Sequence, residues 1–192
     1  MIAIIKYNAG NVASVQNALA RLGYKSIVTN NEKQIINAEK VIFPGVGEAS
    51  SAMHYLKSIN LDSLIISLKQ PVLGICLGMQ LMCSYSEEGD TVCMNIFPNR
   101  VRQFPNIGIV PHMGWNSLIS PKGKLLNGIQ TGTDVYFVHS YYAELCESTI
   151  ADCNYLLPFS AAMQKDNFYA TQFHPEKSAS VGEQILKNFL EL

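Results

Sequence analysis

A short apolar run that ends in a cysteine between two glycines is the feature that most restricts the fold of this chain. The run begins at Pro71 and ends at Cys76, with Gly74 before the cysteine and Gly78 after it. Residues with helical spacing follow at once, so the segment predicts a strand, a sharp turn and a helix. This is the layout of a nucleophile elbow, with cysteine in place of serine. The alternative is a core cysteine, because free cysteine is among the most buried residue types.

Strand and helix patterns alternate through the first half of the chain, with a loop over 7–11 after the first strand. Strands are predicted at 2–6, 24–29, 40–43 and 71–75, and helical segments at 12–22, 32–38 and 53–68. This alternation favours a parallel sheet with right-handed crossovers. Ligands of such sheets bind beyond the carboxyl ends of the strands. The elbow and the loop Pro44-Gly45-Val46-Gly47 are both expected there.

From about Thr91 the pattern changes to short β-type pieces separated by turn signals. These pieces are predicted at 92–97, 101–104, 107–111, 135–138, 149–154, 159–164 and 168–173. An amphipathic helix over 178–192 ends the chain. The predicted fold class is therefore α/β, a mainly parallel twisted sheet flanked by helices with added antiparallel strands. Since no linker, repeat or low-complexity segment interrupts the chain, we expect one domain over 1–192.

Composition disfavours several classes of function. The net charge is −1 and no Lys/Arg cluster occurs, which argues against a nucleic-acid ligand. No apolar run approaches the roughly 20 residues that span a bilayer, and the N-terminus has no signal-peptide pattern. Five cysteines without a C-x-x-C pair predict free thiols in a reducing cytoplasm. Because ligand spacings such as H-x-x-x-H are also missing, we expect neither a metal nor a cofactor.

A cysteine nucleophile needs a base, and the base needs a group that orients it. The chain offers four histidines, His54, His112, His139 and His174. The first is expected on a helix surface and the second in a dense loop over 111–116, and the third ends a strand. His174 is the best candidate, because it follows the carboxyl end of a strand and Glu176 lies two residues further on, across a proline. The sequence therefore predicts a Cys76–His174–Glu176 triad, and the alternative is a solvated His-Pro-Glu loop.

Two backbone N–H groups are candidates for an oxyanion hole. The N–H of Leu77 follows the elbow directly, and the two glycines of the Pro44–Gly47 loop allow a second backbone N–H to approach a reacting carbonyl closely. An ordinary glycine turn is the alternative for this loop.

These motifs together resemble the class I, or triad, glutamine amidotransferases. The broad resemblance rests on Gly74-Ile75-Cys76-Leu77-Gly78-Met79-Gln80 and on His174-Pro175-Glu176. Finer motifs at 10–11, 44–47, 111–116, 136–141 and 174–178 resemble the glutaminase subunits of imidazole glycerol phosphate synthases. The resemblance spans residues 7–178, most of the chain.

The resemblance implies a function and a partner. It implies hydrolysis of glutamine to glutamate and ammonia through a thioester on Cys76. The ammonia would pass to a (β/α)8-barrel cyclase subunit, in a heterodimer that makes imidazole glycerol phosphate and AICAR in histidine biosynthesis. A charged fraction of 15%, below the roughly 25% of average domains, agrees with a surface covered by a partner.

The resemblance also implies roles for individual residues. His174 would shuttle protons and Glu176 would orient it, and Gly47 and Leu77 would supply the oxyanion N–H groups. The positions that match those holding the backbone end of the substrate are Gln80, His139, Ser140 and Tyr141. The positions that match the partner interface and the ammonia exit are Asn11, Trp115, Tyr136 and Lys177.

The chain departs from the pattern at two places, and other functions remain open. Lys6 stands where many relatives carry Asp, and Glu48 follows the glycine loop where Ala or Ser is usual, so the resemblance does not extend to interface details at these two positions. The same design could supply ammonia to another acceptor, such as a surface-polysaccharide sugar. A cysteine peptidase or γ-glutamyl hydrolase on a related fold, or a non-catalytic regulatory subunit, are the further alternatives.

Overall fold

A computed structural model of the chain describes residues 1–8 and 10–192. Ala9, inside the predicted loop over 7–11, lies outside the described residues. The strands are, in chain order, β1 (Ile2–Ile5), β2 (Ser26–Thr29), β3 (Lys40–Gly45), β4 (Val72–Cys76), β5 (Tyr85–Ser86), β6 (Thr91–Val92), β7 (Arg100–Gln103), β8 (His112–Ser117), β9 (Asp134–His139), β10 (Tyr141–Ala143), β11 (Thr149–Tyr155), β12 (Leu157–Lys165) and β13 (Phe168–Thr171).

Six helices and one 3₁₀ turn connect or follow the strands of the described residues. They are α1 (Val12–Arg21), α2 (Glu32–Ile36), α3 (Ala49–Ser58), α4 (Leu61–Ser67), α5 (Leu77–Met82) and α6 (Ala179–Leu190), with a 3₁₀ turn at Pro175–Lys177. The helical segment predicted at 53–68 is thus two helices, and Asn60, with φ 56°, lies between them. None of the helices in the described ranges has both the length and the apolar character that crossing a membrane requires.

The central sheet of the described residues has the strand order β11-β12-β13-β4-β3-β1-β2. The strands from β13 to β2 in this order run parallel, and β12 and β11 add antiparallel pairings at one edge. A smaller sheet, β10-β7-β5-β6, and the two-stranded ribbon β8-β9 complete the architecture. The predicted fold class is confirmed.

Both faces of the central sheet are buried, as expected for parallel strands covered by helices. Successive side chains of a strand point to opposite faces. Accordingly, Ala3 and Ile5 of β1 pack in one core cluster with α3, α4 and α5. Ile2 and Ile4 pack in the other cluster with α1 and α6. The continuous apolar runs of β1, β3 and β4 therefore correspond to strands that are buried on both sides.

The prediction of a strand at 92–97 is correct only at Val92, where β6 ends. After β6, the backbone N–H groups of Met94 and Ile96 donate to the carbonyls of Leu81 and Met82 at the end of α5. The last carbonyls of a helix have no partner within the helix, so this segment satisfies them instead of pairing in a sheet. Its side chains are apolar because they pack over the end of α5.

The region before the ribbon also differs from prediction. Residues 107–111 form turns rather than a strand, and Ile107 and Ile109 are 74% and 81% exposed. The predicted dense loop over 111–116 is instead mostly strand β8, which pairs with β9 along its whole length. Gly114, with φ 132°, lies inside this strand. A Pro-His-Met-Gly sequence has a loop-like composition, but the pairing with β9 supplies its backbone hydrogen bonds.

Candidate active site

Cys76 lies at the junction of β4 and α5, in a strained backbone conformation. Its φ and ψ are 54° and −109°, a region that non-glycine residues rarely adopt and that costs on the order of 1–3 kcal/mol. The two glycines are required by close packing. A Cβ on Gly78 would lie 2.0 Å from the carbonyl oxygen of Phe43, and one on Gly74 would lie 2.8 Å from the Met82 sulfur. The helix therefore packs directly against β3 and holds the turn in place.

His174 reaches the same edge of the sheet from the far end of the chain. Strand β13 runs parallel to β4, with Thr171 opposite Ile75, so the two strands end side by side. The 3₁₀ turn that follows brings Nδ1 of His174 to 2.8 Å from Oε1 of Glu176. The side chains of this pair are 3% and 1% exposed. The structure thus brings Cys76, His174 and Glu176 together.

The charge state of His174 follows from its neighbours. Burial alone would lower the pKa of His174, but the Cys76 sulfur and the Glu176 carboxylate outweigh it and raise that pKa to about 10. These two neighbours therefore favour the protonated form of the ring. A cation beside a cysteine sulfur stabilises the thiolate, which is the nucleophilic form.

A cavity of about 310 Å³ opens over the elbow. Most of the predicted site residues line it, namely Gly47, Cys76, Leu77, Gln80, His139, Ser140, Tyr141, His174 and Lys177. Glu176 lies behind His174, and its second carboxylate oxygen is buried without a hydrogen-bond partner in the described residues. The cavity therefore joins the sulfur, the imidazole and the glycine loop in one space.

Two side chains of the cavity hold one backbone carbonyl. The Tyr141 oxygen accepts from Nε2 of Gln80 at 2.9 Å and from Nδ1 of His139 at 2.7 Å. Gln80 also donates to Oε1 of Gln172 at 2.9 Å. The amide N–H groups of Gln80 thus have protein partners, and this side chain fixes the wall of the cavity at Ser140 and Tyr141.

Sequence reasoning missed two residues of this site. Gln172 is fully buried, and its Nε2 lies 3.7 Å from the Cys76 sulfur. Its position in the sequence could have predicted this role, since Gln172 precedes His174 by two residues in an extended segment and so points to the same side. Glu88 lines the cavity, and its Oε2 accepts from the N–H of Ala49 at 2.8 Å. Burial, aided by the nearby Glu48 carboxylate, raises the pKa of Glu88.

Glu88 had no recognisable signal, because a loop glutamate among other acidic residues shows no spacing. The structure reveals it only because the loop after β5 folds back onto the start of α3.

A profile of the family described as class I glutamine amidotransferase matches residues 3–192. The chain belongs to the class I glutamine amidotransferase family. The resemblance predicted from the two motifs, and with it the enzyme class, is confirmed.

Curated members of the glutamine amidotransferases are similar to this chain over its full length. A protein of Bacteroides thetaiotaomicron named imidazole glycerol phosphate synthase subunit HisH is 54% identical, over 100% of this chain and 99% of the relative. A protein of Yersinia pseudotuberculosis with the same name is 44% identical over the same shares. A crystal structure of a glutamine amidotransferase superimposes with a TM-score of 0.76 at 16% identity, covering 100% of this chain and 98% of that one, which supports the fold.

The predicted interface residues of this family member lie outside the cavity, except for Lys177 at its wall. Trp115 is 55% exposed and lies opposite Tyr136 in the ribbon, with 5.8 Å between ring centroids. Asn11 is half-buried and precedes α1. Trp115 and Tyr136 therefore share the outer face of the ribbon, and Asn11 is at the start of a helix.

The two departures from the family pattern have different structural consequences. Glu48 caps α3, accepting from the N–H groups of Ser50 at 3.0 Å and Ser51 at 2.8 Å. The hydrogen bonds from these two residues lower the pKa of Glu48 to about 2. Lys6 has an exposed side chain, and only its backbone N–H pairs with β2. Neither residue contacts the triad.

The described part of the chain contains no group of three or more His, Cys, Asp or Glu side chains that could hold a metal ion.

Proposed function

We propose that this chain is the glutaminase subunit of an imidazole glycerol phosphate synthase, with Cys76 as its nucleophile. The observation that carries this proposal is the single cavity in which Cys76, on a strained elbow, faces His174 backed by Glu176. The names of full-length relatives at 44% and 54% identity support the choice of synthase.

The residues present suffice for both halves of the hydrolysis. The Cys76 thiolate attacks the γ-carboxamide carbon of glutamine, and the electron pair of the carbonyl moves to its oxygen. His174 gives its proton to the amide nitrogen, and the carbon–nitrogen bond breaks. Ammonia departs, and a γ-glutamyl thioester remains on Cys76. Neutral His174 then takes a proton from water as the water attacks the thioester. The carbon–sulfur bond breaks, releasing glutamate and restoring the thiolate and imidazolium.

The developing oxyanion requires hydrogen-bond donors. The N–H of Leu77, directly after the nucleophile, and that of Gly47, which has φ 120° and lines the cavity, are the proposed pair. One donor of this kind is worth roughly 3 kcal/mol of barrier. The hydroxyl of Tyr7 donates to the carbonyl of Pro44 at 2.7 Å and so supports the start of the glycine loop.

The backbone end of glutamine carries one positive and one negative charge. Glu88 places a carboxylate on the cavity wall and is the proposed partner of the α-ammonium group. The backbone at Ser140 and Tyr141, fixed by Gln80 and His139, is the proposed site of the α-carboxylate.

The partner and the location of the chain are also part of the proposal. We place a (β/α)8-barrel cyclase on the face that carries Trp115, Tyr136 and Asn11, with Lys177 near the ammonia exit. The subunits form a heterodimer, and ammonia passes to the cyclase to make imidazole glycerol phosphate and AICAR. All five cysteines are free thiols, which suits the cytoplasm.

The substrate proposal is tested by product assays with free L-glutamine and with γ-glutamyl peptides. The chain is assayed alone and with the barrel subunit captured from native lysate. We expect glutamate and ammonia from glutamine, with strong activation by the partner and its ligand. Release of amino acids from γ-glutamyl peptides at a comparable rate would instead support a γ-glutamyl hydrolase, and capture of a different acceptor enzyme would reject the synthase.

The role of Glu88 is tested by Glu88→Gln. Loss of a charge-assisted contact to the substrate ammonium should raise KM for glutamine by about tenfold or more, with a smaller change in kcat. Glu87→Gln is the matched control, because the neighbouring carboxylate pairs with Arg102 instead of lining the cavity. An equal KM in both variants would remove Glu88 from the proposed site.

A further inference from the structure

A file of three hydrogen-bonded polar side chains, Asn116, His112 and His139, runs through the β8–β9 ribbon to the cavity wall. His112 and His139 lie directly opposite each other in the two strands, and Nδ1 of His112 is 2.9 Å from Nε2 of His139. Both are buried, at 3% and 5% exposure. Beyond His112, Nδ2 of Asn116 lies 3.2 Å from Nε2 of that ring. The proposed chemistry uses neither His112 nor Asn116, so the file needs its own explanation.

The cavity end of the file fixes the direction of its hydrogen bonds. The Tyr141 carbonyl can only accept, so Nδ1 of His139 must donate to it. In a neutral ring the other nitrogen then accepts, which requires His112 to donate from Nδ1. The same reasoning makes Nε2 of His112 an acceptor, and the side-chain amide of Asn116 must be its donor.

The Asn116 end of the file independently requires the same direction of hydrogen bonding. Nδ2 of Asn116 also donates to the carbonyl of Asn154 at 3.2 Å, and Oδ1 accepts from the N–H of Ser117 at 2.8 Å. These two backbone contacts fix the orientation of the amide, so the atom facing His112 is the nitrogen. Two backbone anchors, one at each end, therefore specify the same Nδ1–H tautomer for both rings.

The surroundings of the two rings favour their neutral forms. The His112 ring stacks on the rings of Tyr155 and Phe137, with 4.0 Å and 4.8 Å between ring centroids. His139 packs against Phe104 and Phe159. In the described ranges no carboxylate hydrogen-bonds to either ring. Burial lowers the pKa of His112 to about 4 and that of His139 to about 3. A proton added between the rings would also set two N–H groups against each other.

We propose that Asn116 and His112 are positioning residues, which hold His139 in the tautomer whose Nδ1–H fixes the Tyr141 carbonyl at the glutamine cavity. Gln80 is the second donor to that carbonyl, so the peptide beside Ser140 and Tyr141 is held from two sides. The effect on glutamine binding rests on the proposed function. The tautomers themselves do not.

The first test reads the tautomers directly. Nitrogen NMR of the full chain labelled with ¹⁵N-histidine distinguishes Nδ1–H, Nε2–H and imidazolium forms, and His112→Asn and His139→Asn assign the two signals. We expect the Nδ1–H form for both rings at pH 7. An Nε2–H form or an imidazolium at either position would overturn the proposal, whether or not the chain hydrolyses glutamine.

The second test reverses the anchor with Asn116→Asp, which replaces a donor by a carboxylate facing His112. We expect the Nδ1–H signals to be replaced by Nε2–H or imidazolium signals, and KM for glutamine to rise by about tenfold with a smaller change in kcat. Asn37→Asp, on the exposed end of α2, is the matched control. Altered tautomers with an unchanged KM would overturn the positioning role. If the variant fails to fold, the wild-type tautomers still decide the direction of the file.

Discussion

His174 and His139 are buried to nearly the same extent, at 2% and 5% exposure, yet their surroundings shift their pKa in opposite directions. Burial lowers the pKa of His139 to about 3, since its partners are a backbone carbonyl and a second neutral imidazole. Burial would also lower the pKa of His174, but Cys76 and Glu176 outweigh it. The partner of a buried imidazole, rather than its depth, decides whether the ring carries a charge.

The two environments suit different tasks. A proton shuttle must exchange a proton with the reacting groups, and His174 faces the sulfur that would attack the substrate. A positioning group must keep one donor in one place, and a neutral ring between fixed backbone groups does so. Variants that remove the partners of His174 test the first of these assignments, and titration of His139 tests the second.

The largest expected effect is that of Cys76→Ala. Glutamate release should fall by at least about 10⁴-fold, because the nucleophile is lost, while the fold and partner binding remain intact. The substitution also removes the sulfur that raises the pKa of His174, so that pKa should fall. Cys146→Ala, whose thiol lies outside the cavity, is the matched control. Glutamate release that persists in Cys76→Ala would overturn the assignment of the nucleophile.

The next effect is that of Glu176→Gln, which keeps the shape of the side chain and removes its charge. We expect kcat to fall by about 10²-fold or more, because His174 loses the group that orients it and favours its protonated form. Its pKa, followed by NMR titration, should move from about 10 toward the ordinary value of 6.5. Glu183→Gln, in an exposed pair with Arg21, is the control. A rate equal to that of the control would show that the carboxylate has no part in the chemistry.

The smallest effect concerns stability in acid. The pKa of His139 is about 3 in the folded chain and near 6.5 when unfolded, so the unfolded state binds more protons below pH 6.5. The contribution of this ring is complete above that pH and is lost as the pH falls. Between pH 7.5 and 5 the wild type should lose about 2 kcal/mol more than His139→Asn, as measured by urea unfolding. Parallel losses in both proteins would mean that His139 is not held neutral.

The sequence predicted the parts of the site that depend on local geometry. Gly78 follows Cys76 because a Cβ there would overlap the Phe43 carbonyl, and a Cβ on Gly74 would crowd the start of α5, so the elbow is visible in the sequence itself. His174 was found because it follows a strand end and precedes Glu176. These two features required no knowledge of distant pairing.

The parts that could not be predicted depend on contacts between distant segments. Strand β8 has a loop-like composition and is a strand only because it pairs with β9. Glu88 reaches the cavity because its loop folds onto α3, and a loop glutamate gives no spacing signal. The hydrogen-bonded pair of His112 and His139 likewise arises from their register in the ribbon, which lies outside any local pattern.

Covalent labelling by a diazoketone analogue of glutamine, followed by peptide mass spectrometry, tests directly whether Cys76 is the nucleophile of a glutaminase. The analogue is applied to the chain in complex with its barrel subunit, with and without excess glutamine. We expect one adduct, on Cys76 alone among the five cysteines, and protection by glutamine. An adduct on another cysteine, or labelling that glutamine does not prevent, would show that Cys76 is not the glutaminase nucleophile.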